Sequence, residues 1–305
     1  MKILITGGAG FIGSHVAKLL LDQNHEVIIF DNLSKSKIEF IDPRAEFIEG
    51  DLKDQTKLTE CLSGVDLVMH FASLIEVSES VKNPLLFAEN NILGTIHLLE
   101  SMKTAKVKKI IFSSSATVYG PPTKLPLTES SPILANNPYG ASKIASESFI
   151  TTYHFLYDFD VTILRYFNPY GPGEMHSPET HAIPSIIKAA LNKKPIPVFW
   201  QGEQIRDFIY IEDLAEAHTA TINLTGLNIF NVGGDKGIKV IDILNKVSDI
   251  LGYKLEIDQL GERAGDVAAN YASSQLLKQK TGWQTKVDLD AGLKKTIDYY
   301  KQSLS

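Results

Sequence analysis

Cysteine is nearly absent: Cys61 stands alone among 305 residues. One thiol cannot form an intramolecular disulfide or a thiolate metal cluster, and its place in an amphipathic stretch marks it as buried filler. No metal site is expected. Excess positive charge is missing too. Lys and Arg number 30 against 36 Asp and Glu, a net charge of −6, so no basic surface invites nucleic acid or an anionic membrane. Apolar runs are short, and none approaches the roughly 20 residues of a membrane helix. Low-complexity tracts and internal repeats are absent. Met1 leads straight into an apolar run, which leaves no room for a signal peptide. These absences describe a soluble, cytoplasmic globular protein, long enough for one large or two modest domains.

What is present begins at residues 2–15. Ile3, Leu4 and Ile5 read as a buried strand. Gly7, Gly10 and Gly13 follow at a spacing of three, and an apolar helical pattern starts at Val16, Ala17, Leu19 and Leu20. Strand, glycine turn and helix together seat a pyrophosphate: glycine permits close backbone approach, and the helix N-terminus offers free N–H groups and partial positive charge. A second buried strand at 26–31 ends in Asp31. A carboxylate there takes the adenosine ribose hydroxyls of a dinucleotide, which favours NAD over NADP. A third strand at 46–49 precedes Asp51, which either accepts from the adenine amino group or caps the helix carrying Leu58 and Leu62.

Strand four, 66–72, brings Phe71, Ala72 and Ser73 to the C-terminal edge of the sheet, where open α/β sheets bind ligands. His70 within it reads as a satisfied core histidine. Residues 84–104 read as one long helix with a wide apolar face that includes Leu85, Leu93 and Leu99. Asn90 and Asn91 interrupt that face and point to cofactor or active site. Strand five, 109–113, opens into the hydroxyl-rich segment Ser113 to Tyr119, followed by a Pro-rich loop at 121–138. The next helix carries Tyr139 and Lys143 at i and i+4, on one face. An ammonium beside a phenol stabilises the phenolate, so the pair reads as acid–base chemistry with a lowered tyrosine pKa. Strand six is 160–165. Beyond Pro169 the pattern shifts to short strands and helices.

Residues 6–15, Asp31, Tyr139-x-x-x-Lys143 and 164–169 together resemble the extended short-chain dehydrogenase/reductase family over essentially the whole chain. Stretches 70–81, 90–95 and 112–120 are most similar to its UDP-glucose (UDP-galactose) 4-epimerases. The resemblance implies an α/β fold: a Rossmann-type doubly wound parallel sheet at 1–168 that binds NAD, and a smaller C-terminal α/β substrate domain at 169–305 that binds a UDP-hexose, with the chain free to cross between them. It implies that Gly7, Gly10, Phe11, Ile12 and Gly13 meet the pyrophosphate. Asp31, with Asn32 and Ser34, meets the ribose; Asp51 and Leu52 meet the adenine. Phe71, Ala72, Ser73, Asn90, Ser113 and Tyr166 complete the cofactor set.

In that pattern Ser115, Tyr139 and Lys143 are catalytic, and Lys143 holds the nicotinamide ribose. Ser115, Tyr139, Asn168, Val198, Arg206, Arg263 and Asp266 bind substrate, with the two arginines on the diphosphate. Phe167 bridges cofactor and sugar nucleotide. The implied reaction is transient oxidation at C4 and return of the hydride to the opposite face. Residues 115–117 lack the Asp-Glu pair of the related 4,6-dehydratases, and Thr117 stands where the decarboxylases place Glu. UDP-uronate and UDP-GlcNAc 4-epimerases remain alternatives, and a non-catalytic NAD-binding regulator is the remote one. Two positions depart from the pattern: Asn270 replaces a bulkier Tyr, and His181 falls near a phosphate-contacting Asn. The family pattern also implies a homodimer through the helices at 84–104 and 139–157.

Overall fold

The structure is a computed structural model that describes residues 1–174, 181–261 and 267–303. In chain order its first elements are β1 (Lys2–Thr6), α1 (Phe11–Asp22), β2 (Glu26–Asp31), β3 (Glu46–Glu49), α2 (Gln55–Cys61), β4 (Leu67–His70), α3 (Val77–Lys82) and α4 (Pro84–Phe87). A π-helical turn at Ala88–Leu93 leads into α5 (Gly94–Ala105), β5 (Lys109–Ser115), α6 (Pro138–Tyr157) and β6 (Asp160–Tyr166). Then follow β7 (Asn168–Tyr170), α7 (Ala182–Leu191), β8 (Ile196–Val198), β9 (Ile205–Tyr210), α8 (Ile211–Thr221) and β10 (Leu227–Val232). The last are β11 (Gly237–Lys239), α9 (Val240–Leu251), β12 (Ile257–Gln259), β13 (Ala269–Asn270), α10 (Gln275–Thr281) and α11 (Leu289–Ser303).

The chain forms two compact units, and it crosses between them more than once. The first unit holds Met1–Gly120, Glu129–Tyr166 and Ala215–Phe230; the second holds Pro121–Thr128, Phe167–Leu214 and Asn231–Ser305. The seven-stranded sheet runs β10-β6-β5-β4-β1-β2-β3. Neighbours from β3 to β6 pair in parallel. Strand order reverses between β1 and β4, and a crevice outside the strand ends at such a point is where dinucleotides bind.

Apolar side chains explain why these segments are strands. Ile3, Leu4, Ile5, Val68, Met69, Ile110 and Val161 are all fully buried, as expected for a sheet covered on both faces. Leu58, Leu98, Leu99, Met102 and Ile150 pack from the helices into the same core, each burial contributing about 1.5–3 kcal/mol. Cys61 is buried and unpaired, as filler should be. In the second unit β9 pairs with β7, β11 and β13. The buried Asp207 ties that sheet together, accepting from the amides of Gly234 at 2.5 Å and Ala272 at 3.0 Å. No helix among the described residues is long and apolar enough to cross a membrane.

Residues 84–104 are not one regular helix. The apolar pattern continues unbroken, but the backbone widens into the π turn at 88–93. Such turns are rare and concentrate at functional sites. Here the wider turn carries Asn91 inward, where it is 3% exposed.

Candidate active site

The glycine turn after β1 is a tight backbone cradle. Gly7 has φ +72°, and a Cβ there would lie 2.5 Å from the Ala72 amide nitrogen. A Cβ on Gly13 would lie 2.4 Å from the Gly7 carbonyl oxygen. Helix α1 opens with no side-chain cap at Gly10 and no acid in its first turn. Its leading amides, at Phe11 and Ile12, are therefore the orphan donors of a helix start, and with the dipole they suit an anion. Asp31 closes the cradle from β2. Its buried carboxylate accepts from the Ala9 amide at 3.1 Å, the Leu33 amide at 2.9 Å and the Ser36 hydroxyl at 2.9 Å. A carboxylate accepts about four hydrogen bonds, so capacity for a ribose hydroxyl remains. These features fit a dinucleotide.

Asp51 does not cap α2. The cap is Asp54, which accepts from the Lys57 amide. Asp51 instead accepts from Asn32 Nδ2 at 2.9 Å and the Lys53 amide at 2.9 Å. Although burial works against its charge, those hydrogen bonds hold its pKa below the usual carboxylate value. Asn32 in turn accepts from the Ser34 amide at 3.1 Å, so the three expected adenosine-side residues form one polar strip. Leu52 is buried beside them.

At the end of β4, the Phe71 and Ala72 amides both donate to the Thr6 carbonyl, which locks this loop against the glycine turn. The Ser73 hydroxyl donates to the Leu74 carbonyl. Of the two asparagines, Asn91 is the organiser. It accepts from the Leu74 amide at 2.9 Å and donates to the Leu74 carbonyl at 3.0 Å and to Ser142 at 2.9 Å. Asn90 is half-buried and donates to Asn91. His70 is a core histidine as expected: it bonds Thr6 at 2.7 Å and Thr95 at 3.1 Å, and burial lowers its pKa to about 3, which keeps it neutral.

The acid–base group assembles where β5, β6 and α6 meet. The Tyr139 hydroxyl faces the Ser115 side chain, whose polar interaction favours the phenolate. Ser115 also accepts from the Thr117 hydroxyl at 3.0 Å. The ammonium nitrogen of Lys143 donates to the Ser113 carbonyl at 2.7 Å and lies 4.9 Å from the centre of the Phe112 ring. The Tyr166 hydroxyl is hydrogen-bonded to His218 Nε2 at 2.5 Å and stands near Ser113. Nothing in the sequence singled out His218, a lone histidine on α8, yet it is fully buried with its ring 4.9 Å from that of Phe71.

The tuning expected of this pair is not what the protein alone produces. Burial pushes the Tyr139 hydroxyl up to about 12, opposed by the polar Ser115 side chain and reinforced by the Glu76 carboxylate. Lys143 spends its ammonium on the Ser113 carbonyl instead of the phenol, and burial lowers its pKa to about 7 against the pull of Glu147. A further positive charge is needed to favour the phenolate. Glu76 itself escaped the sequence reading; it is 4% exposed and paired with Lys35 at 3.3 Å.

The second unit carries the expected substrate residues. Asn168 Nδ2 donates to the Asp207 carbonyl at 2.8 Å. Val198 is buried on β8. Arg206 on β9 is half-buried and donates to the Ile205 carbonyl at 2.8 Å. Across the strand pair stands Asn270, whose Oδ1 is buried with no hydrogen-bond partner. His181 Nδ1 is in contact with the buried Glu174 carboxylate. Arg263 and Asp266 lie outside the described residues.

The sequence profile of the NAD dependent epimerase/dehydratase family matches residues 3–233. The chain belongs to this family. A UDP-glucose 4-epimerase of Yersinia enterocolitica is 39% identical, over 94% of this chain and 93% of its own. Among solved structures, UDP-glucose 4-epimerase from Thermotoga maritima with UDP-glucose has a TM-score of 0.97 at 34% identity, covering 100% of both chains. The enzyme of the same name from Bifidobacterium longum, in complex with NAD+ and UDP, has a TM-score of 0.94 at 32% identity, covering 100% of this chain and 99% of its own. The family's cofactor is NAD, and the uncapped α1, the glycine turn and Asp31 fit it.

Proposed function

We propose that this chain is an NAD-dependent UDP-sugar 4-epimerase that interconverts UDP-glucose and UDP-galactose. The observation that carries this reading is Tyr139 beside Ser115, with Lys143 one helical turn on and bonded to the Ser113 carbonyl, at the strand ends that face a dinucleotide cradle. Gly7, Gly10 and Gly13, with the α1 amides, hold the pyrophosphate; Asp31 with Asn32 and Ser34 holds the ribose, and Asp51 with Leu52 the adenine. Phe71, Ala72, Ser73, Asn90, Ser113 and Tyr166 line the remaining channel, and Lys143 binds the nicotinamide ribose.

NAD, when bound, supplies the two-electron oxidant for C4, the same electron pair on return, and a positive ring charge. Tyr139 takes the C4 hydroxyl proton, with Ser115 relaying it, and gives it back after the keto sugar has turned over. Burial keeps water from the exchanged proton and electrons. Arg206 grips the diphosphate with its forked donors, joined by Arg263; Asp266 takes the uridine ribose, Val198 walls the uracil, and Asn168 meets the sugar nucleotide. Incubation with UDP-glucose, followed by NMR, should yield UDP-galactose to equilibrium with no added reductant. An unchanged sugar would refute the reading.

Asn270 favours UDP-GlcNAc as a further substrate. Its amide is small, and the unpartnered Oδ1 can accept from an acetamido N–H. Including UDP-GlcNAc in the same NMR panel decides the point. The active form is a homodimer. Leu85, Leu93, Phe149, Phe155 and Leu156 are all exposed on α4 to α6 and the intervening π turn, apolar surface for a second subunit to cover. Sedimentation should give twice the chain mass, and Phe155→Glu should halve it. The unpaired Cys61 suits a reducing compartment such as the cytoplasm.

A further inference from the structure

Beneath the acid–base group lies a charged cluster that the reaction does not use. Arg165 is 2% exposed and Glu147 6%. Arg165 donates from Nε to Glu147 Oε1 at 2.9 Å and from Nη2 to Oε2 at 2.6 Å. The Ser114 hydroxyl donates to Glu147 Oε1 at 2.5 Å. Arg165 Nη1 donates to the Tyr119 hydroxyl at 3.0 Å, and the guanidinium sits 5.1 Å from that ring's centre.

Buried ion pairs are costly to desolvate, and apolar residues of equal volume often serve stability as well. What such a pair adds over apolar packing is direction, because forked charge-assisted hydrogen bonds fix distance and angle together. Every member of this cluster adjoins an acid–base residue. Ser114 lies between Ser113, whose carbonyl takes Lys143, and Ser115, which faces Tyr139. Glu147 follows Lys143 by one helical turn and Tyr139 by two. Arg165 precedes Tyr166, and Tyr119 ends the short turn that begins after Ser115. The β5–β6 register sets Ser114 opposite Arg165 and Ser115 opposite Tyr166. Strand alternation then sends the first pair to one face of the sheet and the second to the other. The charged cluster therefore packs on the α6 side of the sheet, where Glu147 follows Lys143 and Tyr139 along the same helix.

We propose that Ser114, Glu147, Arg165 and Tyr119 are positioning residues: they register β5, β6 and α6 so that Ser115, Tyr139 and Lys143 meet in reactive geometry. Glu147 has a second effect. Around the Lys143 ammonium stand His70 from β4, which is neutral, the Tyr139 phenol from its own helix, and Glu147, whose carboxylate favours the charged amine.

The proposal rests on the epimerase reading and is tested by two variants of the full chain with NAD bound. Glu147→Met/Arg165→Met removes both charges at similar volume. We expect melting temperature and NAD content close to native, KM for UDP-glucose within about twofold, and kcat lower by about 100-fold, the scale of an ångström-level misplacement. Ser114→Ala removes a single bond without a buried charge mismatch, and should lower kcat about tenfold at unchanged KM. Native kcat in Ser114→Ala, or in a double variant that melts normally, overturns the proposal; if the double variant does not fold, Ser114→Ala decides alone. Should the native protein turn over no UDP-sugar, the epimerase reading fails. The cluster is then judged by the titration of Lys143, which moves to lower pH in Glu147→Gln if the proposal holds and stays in place if it does not.

Discussion

Tyr139→Phe is expected to lower kcat by about 10²–10⁴, the range for loss of a general acid–base group, while the protein folds and keeps its cofactor. The ring stays: it is 8% exposed and meets Phe87 edge-on at 6.4 Å. Only the hydroxyl and its polar interaction with Ser115 are lost, a cost of at most about 1 kcal/mol. Turnover by NMR, thermal melting and NAD released on denaturation check the three parts of the claim. Near-native turnover would remove Tyr139 from the chemistry. Because burial holds the phenol near 12, the reactive phenolate needs help from charge that the chain itself does not supply. Activity in the native enzyme should therefore rise with pH on the acid side.

Lys143→Met should abolish most activity, by about 100-fold or more, yet stabilise the cofactor-free protein in a pH-dependent way. Lys143 is 3% exposed, and burial lowers its pKa from 10.5 to about 7. Below pH 7 the amine is charged in the folded and unfolded chain alike, and the full penalty of burying it is present. From 7 to 10.5 the unfolded chain binds the extra proton, so stability rises with pH. Above 10.5 the amine is neutral in both and the penalty is gone. A shift of this size corresponds to about 5 kcal/mol, from which the orphaned Ser113 carbonyl subtracts about 1–3 kcal/mol. Calorimetry should show the variant melting several degrees above native at pH 6 and no higher than native at pH 10. An equal change at both pH values would mean that the lysine is not buried as a charge.

How much of this was legible beforehand depends on the range of the interaction involved. Strands β2 and β3 and the glycine turn were readable because each depends on residues adjacent in sequence. Tyr139 and Lys143 were readable for the same reason, being one helical turn apart. The π turn at 88–93 was not, since an inserted residue leaves the apolar periodicity nearly intact; both Asn90 and Asn91 stood out in the pattern, but nothing local showed that Asn91 would turn inward to bond Leu74. Asp51 read equally as an adenine acceptor and as a helix cap, because Asp54, three residues on, offers the same capping chemistry. The Ser114–Glu147–Arg165 cluster joins residues 18 and 33 positions apart, and no local pattern marks such a partnership. Its one outward sign was polar residues standing in a strand end and a helix face that otherwise read as core. The return of residues 215–230 to the first unit was equally hidden, because crossing is a property of the completed sheet. The expected lowering of the Tyr139 pKa weighed the neighbouring charge and missed the burial, which is the larger effect.

The central claim is that the hydrogen at C4 leaves and returns as hydride without exchanging with solvent, while only the hydroxyl proton passes through Tyr139. Running the UDP-glucose reaction in D2O and reading C4 by NMR tests it most directly. The account predicts UDP-galactose with its full complement of protium at C4. Deuterium at that carbon would show proton abstraction from carbon instead, and would contradict it.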